Sequence, residues 1–176
     1  NTLGYAWSKT LKVPYEHQPD GYTCGPTSLK MIMAYYGVWK SVGTISTYMK
    51  SIGDSPYYDG VAQGTIISSA RHYGFGNAYR TTGWTALKNA IAADKPVVAH
   101  IQIKANAYPV IYGGGPAYTQ YTGGHYLTVV GLGATSDGKV LYVVCNDPSK
   151  YGGIKYSGLS FQTAWNYKDA AILVLK

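Results

Sequence analysis

The stretch Gln18–Gly37, QPDGYTCGPTSLKMIMAYYG, constrains this chain more than any other. Leu29, Ile32, Met33 and Tyr36 recur at i, i+3, i+4 and i+7, which is one apolar face of a helix. Pro26 suits an early helical position, where its missing N–H is not needed. Gly37 is placed to end the helix. The segment predicts a loop that delivers Cys24 to the N-terminus of a helix, where the dipole favours a thiolate. Cys24 lies off the apolar stripe, among the loop-like residues Asp20, Gly21, Tyr22, Thr23 and Gly25. That weighs against a buried packing residue, and a nucleophile at this place calls for a matching histidine.

The chain of 176 residues is long enough to bury a proper core, and residues 1–176 are read as one domain. It begins at Asn1 without a Met, so it reads as a catalytic fragment of a longer chain. No run of 18 apolar residues predicts a membrane span, and no signal peptide is visible. Two cysteines are too few for a disulfide scaffold, and a nucleophilic Cys24 must be free. Charged residues are sparse at 13%, yet the net charge is +7, which favours an anionic partner. The basic residues are scattered with no Lys/Arg run, so nucleic acid is not the expected one. With 19 Tyr and 22 Gly, many tyrosines fall in Gly-rich loops, among them Tyr57, Tyr58, Tyr112, Tyr118, Tyr121 and Tyr151. Such residues supply rigid contact area for a ligand; a surface built only for robustness would look the same.

In order, residues 1–17 read as irregular or short-stranded, with Leu11–Pro14 as an edge strand, followed by the Cys24 helix and a short helix over 41–50. A loop spans 51–60, a helix 61–73 and another 82–93, with Trp84, Leu87, Ala90 and Ile91 inward. The period then changes from 3.6 to 2. Strands are predicted over 97–104, 125–134 and 140–146, the last two joined by the turn Ser136-Asp137-Gly138-Lys139. The Gly/Tyr/Pro loop 105–124 is too long for an ordinary connection and is suspect as functional. Residues 151–158 read as a loop with a short strand, 161–165 as a helical turn, and 170–175 as a last strand. The layout is α+β, helices first and an antiparallel sheet after.

A cysteine nucleophile needs a base, and the base an orienting group. His100 lies mid-strand between apolar residues and reads as a core histidine. His17 precedes Cys24 on its loop and His72 ends a helix. His125 follows Gly123-Gly124 and opens a strand at the mouth of the long loop, which suits a base. In the tight hairpin the start of the His125 strand lies beside the end of its partner, so Asp147 is the natural orienter. Asn146 points to the other face, and Cys145, which shares parity with Asp147, reads more as ordinary core packing than as a residue beneath the site. Gln18 is a candidate oxyanion donor beside a helix N-terminal amide. Tyr22, Tyr121, Gly124 and Tyr126, which flank Cys24 and His125, are the candidate substrate contacts. No Cys/His cluster has metal-ligand spacing.

Three segments together carry a resemblance: Gln18-x5-Cys24-Gly25-Pro26-Thr27-Ser28-Leu29, then Gly124-His125-Tyr126-Leu127-Thr128-Val129-Val130-Gly131, then Asn146-Asp147-Pro148. They resemble the C39-type cysteine peptidases of the papain-like superfamily, with Gln, Cys, His and Asp in the same order. GYTCGPTSLKMIMAYYG more closely resembles the pseudomurein endoisopeptidases (C71-type), viral lytic enzymes that cut the amide between alanine and a lysine side chain in archaeal walls. The resemblance implies a papain-like fold whose helical half carries Cys24 and whose sheet carries His125 and Asp147. It implies Cys24 as nucleophile, His125 as base, Asp147 as orienter and Gln18 as oxyanion donor, with no cofactor required. It allows a calcium requirement, although no acidic calcium loop is readable. It further implies a monomer made in an infected archaeal cell, acting on pseudomurein crosslinks and on neither nucleic acid nor membrane. The long Tyr/Gly loop before His125 departs from the exporter-type pattern of C39 domains that cut double-glycine leaders. Leader cleavage, transglutaminase-type acyl transfer and an inactive peptidase-like binding module are the alternatives.

Overall fold

One sheet with two apolar faces organises the molecule. The computed structural model describes residues 6–58 and 60–176, so the readings above for residues 1–5 and for Asp59 lie outside the described residues. The strands are β1 Trp7–Thr10, β2 Tyr79–Thr82, β3 Val97–Ile103, β4 Gly123–Ala134, β5 Val140–Asn146, β6 Ile154–Ser157 and β7 Ala171–Val174. They form a seven-stranded sheet in the order β2-β7-β3-β4-β5-β6, with β1 paired to β4. Every pairing is antiparallel. The helices are α1 Cys24–Tyr35, α2 Val42–Ser51, α3 Gln63–His72, α4 Trp84–Ala92 and α5 Gly158–Asn166.

Strand alternation sends side chains to two cores. Val97, Ala99, Ile101 and Ile103 of β3 join Leu87 and Ile91 of α4 and Phe161 and Trp165 of α5. On the other face Val98 and Leu173 meet Leu29, Ile32 and Met33 of α1, with Ile45, Met49 and Ile66 of α2 and α3. The apolar stripe read from the sequence is therefore the contact that seats α1 on the sheet. Leu29 is fully buried, and its truncation to Ala costs about 2–5 kcal/mol. The approach is close at the N-terminal end. A Cβ at Gly25 would lie 2.5 Å from Val61 Cγ2, so only glycine lets the helix start there. Lower down, Thr128 Oγ1 donates to the Ser28 carbonyl at 3.1 Å and pins α1 to β4.

Several boundaries differ from the sequence reading. The first strand is Trp7–Thr10 rather than Leu11–Pro14. The 11–18 segment is instead strapped across the sheet by single bonds, from Leu11 N to Val130 O, Asn146 Nδ2 to Val13 O and Gln18 N to Pro148 O. Pro14 cannot donate to a ladder, and these isolated bonds replace one. Thr82 ends a strand, β2, rather than opening a helix, because Gly83 at φ 92° turns the chain before α4. Residues 154–157 form a full edge strand, and α5 is a nine-residue helix rather than a turn. Helices lie on both faces of the sheet, so the helical and β halves are less segregated than the sequence order suggested. Among the described residues no helix is long and apolar enough to cross a membrane.

Candidate active site

Cys24 is the first residue of α1. The loop before it is held by Asp20, whose Oδ1 accepts from Tyr22 N (2.8 Å), Thr23 N (3.0 Å) and Thr23 Oγ1 (2.9 Å). No acidic side chain lies in the first turn, so the positive end of the dipole is left to the thiol. β5 hydrogen-bonds β4 only as far as Thr128, opposite Asn146. Beyond that point the Tyr126 amide is turned to Cys24 and donates to Sγ at 3.5 Å. The sheet thus opens where the helix N-terminus enters it.

The β4–β5 register also explains the acid. Thr128 faces Asn146, so Asp147 falls beside Leu127, on the same face as His125. His125 Nε2 lies 2.8 Å from Asp147 Oδ1, and both side chains are buried. Nε2 is therefore committed to the carboxylate, and Nδ1 is the nitrogen left for Cys24. Asp147 has no exposure, and a buried carboxylate needs donors. Oδ1 also accepts from Ser149 N and Ser149 Oγ, both at 3.0 Å. Oδ2 accepts from Tyr118 and Tyr156 hydroxyls, both at 2.6 Å. Burial and the Asp147 charge push both phenols well above their ordinary value, so they stay protonated donors. Burial raises Asp147, but His125 and the two tyrosines more than offset it and hold it well below the usual carboxylate range.

The thiol and imidazole shift in opposite directions. Burial pushes Cys24 up, yet the nearby His125, with the Tyr126 and Gly25 amides, brings it below the usual thiol value. Burial lowers His125, but Asp147 and the Cys24 contact push it up to about 10. This is the polarity of a thiolate–imidazolium pair, which can attack a carbonyl and then protonate a leaving amine. Cys145, by contrast, is wholly buried in the core, which raises its thiol well above the ordinary value. Both cysteines are free.

Gln18 lines the same cleft as Cys24 and His125. Its Nε2 donates to Asp20 O at 2.6 Å. An amide nitrogen has two hydrogens, so the second is available to an oxyanion. Asn146 is used elsewhere: it donates to Val13 O and accepts from Gly153 N, and takes no part in orienting the imidazole.

Cys24 separates two clefts. One, of about 420 Å³, is lined by Tyr22, Tyr58, His100, Tyr121, Tyr126 and Lys168, with Gly124 at its base. The other, of about 250 Å³, is lined by Gln18, Tyr118, Tyr121, His125, Ser149 and Lys150. Tyr121 is shared, and its hydroxyl donates to Gly124 O at 2.7 Å. All four candidate substrate contacts, Tyr22, Tyr121, Gly124 and Tyr126, line the larger cleft. Two residues were misread from the sequence. His100 is not a core histidine: it is half-buried and lines the larger cleft beside its buried strand partner Tyr126. Tyr118, read from the sequence as a loop tyrosine offering contact area to a ligand, is instead buried with its hydroxyl on Asp147.

Calcium takes six to eight oxygen ligands. Among the described residues no group of three or more His, Cys, Asp or Glu is placed to hold a metal ion.

The model of the Peptidase_C39 like family matches residues 10–171. No curated protein matches the chain. A solved protein from Bacillus anthracis, assigned to the C39-like peptidases, aligns with TM-score 0.71 at 20% identity, covering 97% of this chain and 98% of that one. The peptidase domain of Streptococcus ComA, a bifunctional ABC transporter of a quorum-sensing pathway, aligns with TM-score 0.62 at 20% identity, covering 92% and 98%. Digestive procathepsin L 3 of Tenebrio molitor larval midgut aligns with TM-score 0.65 at 16% identity, covering 96% of this chain and 69% of that one. The fold of helices on an antiparallel sheet is thus common to C39-like peptidases and a papain-like procathepsin.

Proposed function

The chain belongs to the Peptidase_C39-like family of peptidases, and on that premise we propose that it is a cysteine endoisopeptidase of archaeal pseudomurein. The bond cut is the amide between an alanyl acyl group and a lysine ε-amine, in the wall attacked by a viral lytic enzyme. The observation that carries the reading is Cys24 at the head of α1, between two clefts, with the buried His125–Asp147 pair beside it.

The steps follow from that geometry. Cys24 Sγ attacks the scissile carbonyl carbon, and the carbonyl π electrons move to oxygen. The second Gln18 Nε2 hydrogen and a first-turn amide of α1 hold the oxyanion. His125 Nδ1 gives its proton to the departing ε-amine, the C–N bond breaks, and a thioester on Cys24 remains. His125 then takes a proton from water, the hydroxide adds to the thioester, and the acid leaves with Cys24 restored as thiolate. Asp147 fixes the tautomer throughout. Because His125 must reach the leaving nitrogen, the amine half lies in the smaller cleft and the acyl half in the larger one. A cleft of about 250 Å³ walled by Tyr118 and Tyr121 suits the unbranched stem of a lysine.

The test is hydrolysis of an alanyl-ε-lysine isopeptide and of a Gly-Gly leader fusion, followed by mass spectrometry of the products. Release of free lysine side chains from the isopeptide, with the leader fusion uncut, is the expected result. Cleavage of the leader fusion alone would overturn the substrate assignment.

A further inference from the structure

Among the described residues the larger cleft holds donors and no acidic acceptor. Gln63, on α3, links Arg80 to His100: Arg80 Nε donates to Gln63 Oε1 at 2.7 Å, and Gln63 Nε2 meets His100 Nδ1 at 2.9 Å. Arginine can only donate, so the Gln63 oxygen must face Arg80 and its nitrogen must face His100. Nδ1 of His100 is therefore the acceptor, and the proton of the neutral ring sits on Nε2. The ring is clamped by stacking on Tyr126, centroid to centroid 4.0 Å at 15°, and Tyr126 is itself tied to Val61 O at 2.8 Å. Burial and the charge of Lys168 hold His100 down to about 3, so it stays neutral.

Lys168, just past α5, comes to the same place. It is partly buried on the cleft wall, and no carboxylate lies within 4 Å of its ammonium among the described residues. A Cβ built at Gly124 would lie 3.5 Å from His100 Nε2 and 3.8 Å from Lys168 Nζ. Two donors thus border the space that a side chain at 124 would occupy, next to His125 in sequence. None of the described residues lining this cleft is acidic.

We propose that the space over Gly124 is a carboxylate subsite, in which Lys168 and the His100 Nε2–H bind a free carboxylate on the acyl half of the substrate. The enzyme then selects acyl groups that carry a negative charge close to the scissile carbonyl. The assignment to the acyl half rests on the peptidase reading above, which sends the leaving amine to the His125 side. An ammonium–carboxylate contact joined by a ring N–H is a charge-assisted pair, stronger than a neutral one. Its partial burial limits screening by salt.

The experiment separates this subsite from the identity of the scissile bond by reading binding rather than turnover. Two alanine-ended acyl peptides are compared, one with a free side-chain or α-carboxylate on the residue before the alanine, the other with that group as carboxamide. Titration calorimetry on the Cys24→Ala protein is expected to show the carboxylate peptide bound roughly tenfold tighter or more. In Cys24→Ala/Lys168→Met that preference should vanish, with the carboxamide peptide bound as before. Equal binding of the two peptides, no binding of either, or a Lys168→Met loss that is the same for both would overturn the subsite. Turnover on the isopeptide, measured separately with wild-type protein, reports on the function alone.

Discussion

His125 Nε2 stands 2.8 Å from Asp147 Oδ1 across 22 residues of chain, with the carboxylate fully out of solvent. The hairpin between β4 and β5 brings them together, and four further donor contacts from Ser149, Tyr118 and Tyr156 keep the carboxylate ionised. Nδ1 is then the ring nitrogen not committed to the carboxylate. Replacing Asp147 by Asn should reduce kcat roughly 10³–10⁴-fold by loss of the correct tautomer. It should also destabilise the fold by about 1–3 kcal/mol, because an amide N–H would face hydroxyl donors in a buried site. Steady-state kinetics and urea unfolding measure the two effects separately.

The opposed shifts of Cys24 and His125 set the pH dependence. The thiolate is present above the lowered Cys24 value, and the imidazolium is present below the raised His125 value of about 10. Activity should rise with pH through the first, stay level, and fall through the second. The two limbs belong to the coupled pair rather than to single residues. A kcat/KM profile with its acid limb at or above the ordinary thiol value, about 8.5, would contradict the ion pair.

Asp147 carries a linked stability effect. Its folded-state value is depressed, so the stability it contributes is present above the unfolded carboxylate value of about 3.9 and is lost as pH falls below it. Wild-type protein should lose stability in acid more steeply than Asp147→Asn, as read by thermal unfolding between pH 6 and pH 3. Parallel curves would show that the carboxylate is not the group responsible.

Tyr118 links the long loop to the acid. Its hydroxyl donates to Asp147 Oδ2 and stands 3.2 Å from His125 Nε2. Tyr118→Phe keeps the ring but leaves one carboxylate lone pair without its donor. A cost of about 1–3 kcal/mol in stability follows. The alkaline limb of the pH profile should also move upward, since a less stabilised carboxylate holds the imidazolium more strongly. An unchanged limb would reduce Tyr118 to a packing role.

The parts legible in the sequence were those fixed by local rules. Pro26, Gly37 and the 3.6-residue stripe announced α1 and put Cys24 at its head. The Asp137-Gly138 turn fixed the β4–β5 hairpin, and with it the meeting of His125 and Asp147. What local rules missed depends on tertiary placement. His100 has the apolar flanks of a core residue, but it lines the larger cleft. β2, Tyr79–Thr82, is polar and exposed and pairs with β7, some 90 residues downstream. Tyr118 and Lys168 lie in segments with no periodicity, so only folding reveals what they approach.

The most direct measurement is alkylation by iodoacetamide at pH 6, followed by peptide mapping and residual activity. An ordinary thiol is almost wholly protonated there, with a value near 8.5. Cys24, lowered by His125 and the helix N-terminus, should be modified first, and activity should fall in proportion, while the buried Cys145 stays unmodified. Turnover that persists after Cys24 is fully alkylated would contradict the assignment of Cys24 as the nucleophile.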